Sequence, residues 1–243
     1  MHNKLKSFLL IFFLFVFSVK NNFAQKKFTY GVGVDIFQTK LNNVDRENFS
    51  GYGHSMPGFI QNDQLGLGAT FLVQTPIYKN LSFETGLGIT NFNSQFHFDY
   101  THLITRRQIK ETLNISLYYI NLPFIVGYYF PISPSSKIGT SLGLDTRFLF
   151  TYQDNYQDIL YETIGGQKGV HRYNKFIFSP KFIISYNLKL KNQQNISLEA
   201  KVGYDSNKII NNKTFGGSWG FYQNLSTAFY MYYGLSLKYF FTK

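Results

Sequence analysis

From Tyr30 to Phe241 the chain repeats one pattern: an apolar side chain at every second position, with small or polar residues between. Tyr30, Val32, Val34 and Ile36 alternate with Gly31, Gly33, Asp35 and Phe37. Leu65, Leu67, Ala69, Phe71, Val73 and Ile77 alternate with Gly66, Gly68, Thr70 and Gln74. A period of two puts the two sets on opposite faces of a strand. Eight such segments are predicted: Tyr30–Gln38, Leu65–Ile77, Leu81 to about Tyr100, Thr112–Phe130, Lys137–Gln153, Tyr173–Leu190, Ile196–Tyr204 and Leu225–Phe241. The last is about twice the length of an ordinary strand, with Leu225, Phe229, Met231, Tyr233, Leu235, Leu237, Tyr239 and Phe241 on one face.

The connections alternate in length. Short ones centre on Lys79, Ser133 and Gln193, and long ones are expected over Leu41–Asp63, Tyr100–Lys110, Asp154–Arg172 and Asp205–Asn224. Dyad-patterned strands joined by alternating short and long loops mark an outer-membrane β-barrel, with the short turns on the periplasmic side. The fold class expected is therefore all-β: an eight-stranded antiparallel up-and-down transmembrane barrel. No water in a bilayer core satisfies a strand edge, so a sheet there must close on itself. The charge pattern agrees. One face of every strand is almost free of charge, while the other carries Asp35, Glu84, Asp145, Arg147, Lys175, Lys181, Glu199, Lys201 and Lys238.

Two segments change phase. The apolar face of the third strand is odd-numbered to Ile89, then passes to Phe92, Phe96, Phe98 and Tyr100. In the fourth it is odd-numbered at Leu113, Ile115 and Leu117, then even-numbered at Leu122, Phe124, Val126 and Tyr128. A β-bulge at each site shifts a strand by one residue, and Pro123 suits such a site. Alternatively the membrane band ends there, since crossing takes only about 9–11 residues. Both are expected together, in a barrel that extends past the outer leaflet. Aromatic girdles are expected at Tyr78, Tyr128, Tyr129, Phe130, Tyr239 and Phe241 on one rim, and at Tyr152, Tyr173 and Tyr204 on the other.

The N-terminus sharpens the picture. Lys4 and Lys6 precede the apolar run Phe8–Phe17, and Asn22-Phe23-Ala24 precedes Gln25. This is the form of a secretory signal peptide, residues 1–24, leaving 25–243 as one barrel domain. The chain has no cysteine, so packing and backbone pairing must hold it. Its formal charge of +11 falls by three when Lys4, Lys6 and Lys20 leave with the leader. Export and the scatter of the lysines argue against nucleic acid as a partner. Outer-membrane lipid is the expected surrounding, with a protein partner at the loops or periplasmic rim and a monomeric barrel.

Tyr118-Tyr119-Ile120-Asn121-Leu122-Pro123-Phe124-Ile125-Val126-Gly127-Tyr128-Tyr129-Phe130 resembles a recurring strand of the PorT-like outer-membrane β-barrel family. The leader ending Phe23-Ala24-Gln25 is similar to leaders of that group. The resemblance implies the barrel fold and an outer-membrane location. Through the family's name-giving member it also implies a link to secretion and gliding. It carries over no functional residue.

Candidate chemistry is sparse. His54, His97, His102 and His171 fall in or beside predicted outer loops without ligand spacing, so no metal and no cofactor is expected. Ser94, His97, Asp99 and His102, or Asp205 with Ser206, supply the residue types of a rim hydrolase without an orienting motif. The Gly31-x-Gly33 and Gly86-x-Gly88 pairs sit inside strands, where glycine serves close packing rather than phosphate. The interior charges are the richest feature. Arg147, Lys175, Lys181, Lys189, Lys201 and Lys238 face Asp35, Glu84, Asp145 and Glu199. Eight strands leave an interior just wide enough for side chains to fill. An ion-pair network plugging the lumen is expected, the alternative being a narrow anion-preferring pore or small-ligand site. The expected role is that of a non-enzymatic structural or protein-interaction component.

Overall fold

The computed structural model describes residues 28–42, 55–101, 108–155, 173–190, 194–209 and 228–241. The leader, most of the long loops, and His54, His102 and His171 lie outside them. Eight strands follow in order: β1 (Thr29–Asn42), β2 (Ser55–Tyr78), β3 (Leu81–Thr101), β4 (Gln108–Ser133), β5 (Ser136–Asp154), β6 (Phe176–Lys189), β7 (Asn195–Tyr204) and β8 (Phe229–Phe241). Each pairs antiparallel with its chain neighbour, and β8 returns to β1, so the barrel is closed. The seam runs from Tyr30 against Phe241 to Asn42 against Phe229.

The strands differ in length from the expectation where the chain leaves the predicted band. β2 begins at Ser55, within the expected first loop, and β1 continues to Asn42. β8 begins at Phe229 rather than Leu225; residues 225–227 lie outside the described set. The 24-residue β2, 21-residue β3 and 26-residue β4 are each about twice what a bilayer crossing needs.

The outward face carries the apolar set of the alternation. Val34, Leu67, Leu87, Leu142, Ile184, Leu198 and Leu235 are all exposed, Leu142 by 70%. These side chains have no protein partner because they meet hydrocarbon.

The phase changes of the third and fourth strands have a different origin from a bulge. β3 and β4 pair in one unbroken register, from Leu81 against Tyr128 to Thr101 against Gln108. Pro123 sits in phase, opposite Asp145. Phe92 and Phe96 point inward and are buried, as do Leu113, Ile115 and Leu117. The strand does not shift; the solvent does. Below Ile89 lipid lies outside, so apolar residues face out and charges face in. Above it water lies outside, so Asn91, Asn93 and Gln95 take the outer face and aromatic residues fill the inside. Bulges do occur, on the flanking strands. Against β3, β2 gains a residue between Asp63 and Leu67; against β4, β5 gains one beside Thr151. Both lie where the outer face turns polar.

Two of the girdle residues turn inward: Tyr129 faces the lower mouth and Tyr173 is buried in the upper core. Tyr78, Tyr128, Phe130 and Phe241 remain exposed on the short-turn rim, Tyr152 and Tyr204 on the other.

A closed eight-stranded barrel with an uncharged apolar belt and its charges turned inward is a membrane span of the outer-membrane type. The protein is a transmembrane β-barrel of a Gram-negative outer membrane.

Candidate functional site

The inward charges are brought together in stacked layers. Nearest the short turns, Lys238 Nζ lies 2.6 Å from Glu84 Oε1 and 2.8 Å from Glu199 Oε1, placed by β8, β3 and β7. One layer up, Lys201 Nζ is 2.7 Å from Asp35 Oδ1, which also accepts from Ser236. Lys181 Nζ is 2.6 Å from Asp145 Oδ1. A charge inside so narrow a lumen loses most of its hydration, and only a close partner offsets that loss.

Above these pairs stands Arg147. Its Nη2 bonds Ser179 and Asp205, and Ser179 Oγ donates to the same Asp205 Oδ1 at 2.7 Å. The rest of the guanidinium meets rings. Its carbon lies 4.1 Å from the Phe92 centroid, 5.5 Å from Tyr119 and 5.4 Å from Tyr232. Arginine is suited to this because its flat, weakly hydrated cation stacks on aromatic faces. Phe37, Phe92, Phe96, Tyr119, Tyr230 and Tyr232 continue the packing upward with Leu113, Leu117 and Ile177. Residues 205–209 continue the line of β7 between β6 and β8, in the wall beside this core. Asp205 N donates to Tyr230 O, Ser206 N to Phe178 O and Ile209 N to Ala228 O, and the Ile209 side chain is buried.

The lumen is narrow enough that inward glycines are matched to inward rings. A Cβ on Gly66 would strike the Phe37 ring, and one on Gly203 the Tyr232 ring. Gly31 and Gly33 lie mid-strand against Phe240 and Lys238, with no loop to cradle a phosphate. Within the ion-pair layers the described residues leave a void of about 20 Å³, lined by Asp35, Glu84, Lys181, Glu199, Lys201 and Lys238 among others. That is room for about one water.

Of the expected interior residues, Lys175 is not in the network: it precedes β6 and is exposed. Lys189 is likewise exposed, at the short-turn end. Asp205 takes their place in the charge balance. It had been assigned to a loop, because period-two alternation says nothing about a residue one step past a strand end. The paired set is thus Arg147, Lys181, Lys201 and Lys238 against Asp35, Glu84, Asp145, Glu199 and Asp205. Among the described residues this paired interior set carries no excess of cations.

The hydrolase combinations are not assembled among the described residues. Ser94 points inward and bonds the Tyr230 hydroxyl at 2.7 Å, while His97 points outward and bonds Thr112 Oγ1 at 2.8 Å. Asp205 is held by Arg147, and the Ser206 hydroxyl donates to Phe178 O. The side chain of Asp99 and all of His102 lie outside the described residues. No group of three or more metal-ligating side chains occurs among the described residues.

The short-turn mouth holds a cavity of about 400 Å³, walled by Lys79, Lys137, Lys189, Asn187, Asn195 and the Tyr129 ring among others. Outside the long-loop half, a groove of about 430 Å³ runs over Gln64, Asn91, Asn93, Gln95, Asn114 and Tyr118. There Asn62 donates to Gln95, and Gln95 to Asn114.

No family model and no curated protein matches the chain. Among solved structures it is similar to the outer membrane protein OprG from Pseudomonas aeruginosa: 11% identity over 90% of this chain and 98% of that one, TM-score 0.44. It is also similar to Ail, the attachment invasion locus protein of Yersinia pestis, solved with the heparin analogue sucrose octasulfate. Here identity is 9%, over 88% of this chain and 99% of that one, with a TM-score of 0.39.

Proposed function

We propose that the protein is a non-enzymatic, monomeric outer-membrane barrel with a sealed lumen, whose two ends are docking surfaces for another protein. One observation carries this reading: among the described residues the lumen is filled above its short-turn mouth, through the ion-pair layers and the aromatic core. Paired charges occupy its lower half, and the Arg147 aromatic box and the apolar core occupy its upper half. An ion entering this lumen would have to break pairs whose separation leaves a bare charge at low dielectric. The same filling stiffens the barrel and holds its rims in fixed positions, as a docking scaffold needs. The Tyr118–Phe130 strand supports a place in the PorT-like group, and through it a role in secretion or surface assembly.

The test is conductance across a planar bilayer. The purified barrel should give no steady current, and a persistent anion-selective current would overturn the sealed reading. Mild cross-linking in outer membranes followed by affinity recovery should bring down a second polypeptide. Recovery of the barrel alone would count against the docking role.

A further inference from the structure

The cavity at the short-turn mouth differs in charge from the paired interior above it. Its lining brings together the Lys79–Asn80 turn, the Pro134–Ser135 turn, the starts of β1 and β7, and the ends of β6 and β8. Three lysines stand in its wall, Lys79, Lys137 and Lys189, and no acidic side chain lines it among the described residues. None of the three has a carboxylate partner among the described residues. The nearest interior anions, Glu84 and Glu199, are taken by Lys238.

The sequence around this end sharpens the asymmetry. Residues 25–33, 75–82, 129–141, 187–197 and 237–243 contain no Asp or Glu, although the chain has 13. They do contain Lys26, Lys27, Lys79, Lys137, Lys189, Lys191, Lys238 and Lys243.

The direction of the lysines decides what they meet. Lys137 and Lys189 share the inward parity of Gly139, Ser141 and Ser185, whose side of the strand faces the lumen, so they look into the mouth rather than toward lipid phosphates. Below them Gln74 Nε2 donates to Tyr129 Oη at 3.2 Å and lies 3.4 Å from Ser82 Oγ, giving the cavity a hydroxyl and amide floor. A volume of about 400 Å³ is in the range of ligand pockets rather than of gaps between loops. Ammonium groups on flexible stems, set on three separate elements, suit several carboxylates spread along a chain better than one compact anion. A single phosphate would call for a convergent fork, which arginine provides and lysine does not.

We infer that the short-turn, periplasmic mouth is a receptor site for an acidic, extended peptide segment of a periplasmic protein, held by the inward Lys137 and Lys189 with Lys79, whose ammonium lies 5.4 Å from the Tyr78 ring, at the rim. This rests on the docking role proposed above and gives it a side, a partner chemistry and residues.

The test uses the full barrel in phosphatidylcholine nanodiscs with dye-labelled octaglutamate as probe and octaglutamine as its uncharged counterpart, read by fluorescence anisotropy. Octaglutamate should bind, more weakly as salt is raised, and octaglutamine should not. The triple variant Lys79→Gln, Lys137→Gln, Lys189→Gln should bind octaglutamate roughly tenfold or more weakly. Lys175→Gln with Lys208→Gln, at the other end, should leave binding unchanged. Insertion of each variant is checked by the gel-mobility shift of the folded barrel. Equal binding by the triple variant, or loss of binding in the outer-end variant, overturns the inference. So does displacement of the probe when phosphatidylglycerol replaces phosphatidylcholine, because the lysines would then serve lipid. A conducting lumen would sink the sealed reading without touching this result, and lost peptide binding would leave the seal intact.

Discussion

At the scale of single residues, Arg147 is the most constrained charge in the molecule. It is fully buried, one end held by Asp205 and Ser179, the other over the ring of Phe92. Removing the anion alone leaves a cation among aromatic rings, and breaking a buried pair in this way costs about 3–5 kcal/mol. Asp205→Ala should therefore lower the urea midpoint of the inserted barrel sharply, and Arg147→Met added to it should recover most of the loss. If the double variant is no better than the single one, the charge is not what Asp205 satisfies. Inward glycines are constrained by space instead. Gly203→Ala drives a methyl group into the Tyr232 ring, an overpacking that costs about 1–3 kcal/mol. Adding Tyr232→Leu should relieve it, measurable by the same urea titration. Gly203 could be placed inward from the alternation. Its partner could not, because contacts across a barrel depend on register and shear, which one strand's pattern does not encode.

At the scale of the strand, outward residues answer to two solvents. Strand count, order and inward parity were legible because lipid imposes one rule over the lower half of every strand. In the upper half of β3 and β4 the sequence allows a bulge and an end of the membrane band together; the register supports the band's end, because the rule inverts there. Phe92, Phe96, Leu113 and Ile115 look like a lipid face that has slipped by one residue, yet they are the core of a water-facing barrel. Sequence alone cannot separate a change of phase from a change of surroundings; the unbroken β3–β4 register does. The distinction predicts a graded cost for charge. Leu142→Arg, on the lipid belt of β5, should cost about 2–4 kcal/mol, while Gln95→Arg, on the outer face of β3 above the belt, should cost about 0–1 kcal/mol. Equal costs in a vesicle-insertion titration would mean that the belt reaches past Asn91. His97, on the same outer face, fits this placement: it is bonded to Thr112 across the strand pair rather than turned toward a ligand.

At the scale of the whole molecule, closure and charge work together. The seam strand β8 supplies Lys238 to the lower plug, Ser236 to Asp35, and Tyr230 and Tyr232 to the upper core. It therefore links both halves of the filling as well as both edges of the sheet. Its end is the most heavily committed part: Tyr239 pairs with Val32 on one side and Ile196 on the other, and Phe241 faces Tyr30. Deleting residues 239–243 removes these pairs and leaves the β1 and β7 edges unpaired at the periplasmic end of the lipid belt. Unsatisfied backbone groups in the hydrocarbon region cost several kcal/mol each, so the truncated chain has no favourable inserted state. It should accumulate in the periplasm or be degraded, with the full-length protein recovered from outer-membrane fractions as the control. A point variant separates the two roles of the strand. Lys238→Met keeps every backbone pair but strips the cation from between Glu84 and Glu199. That chain should still insert, with a lower urea midpoint. If it fails to insert as the truncation does, the plug rather than the seam governs assembly.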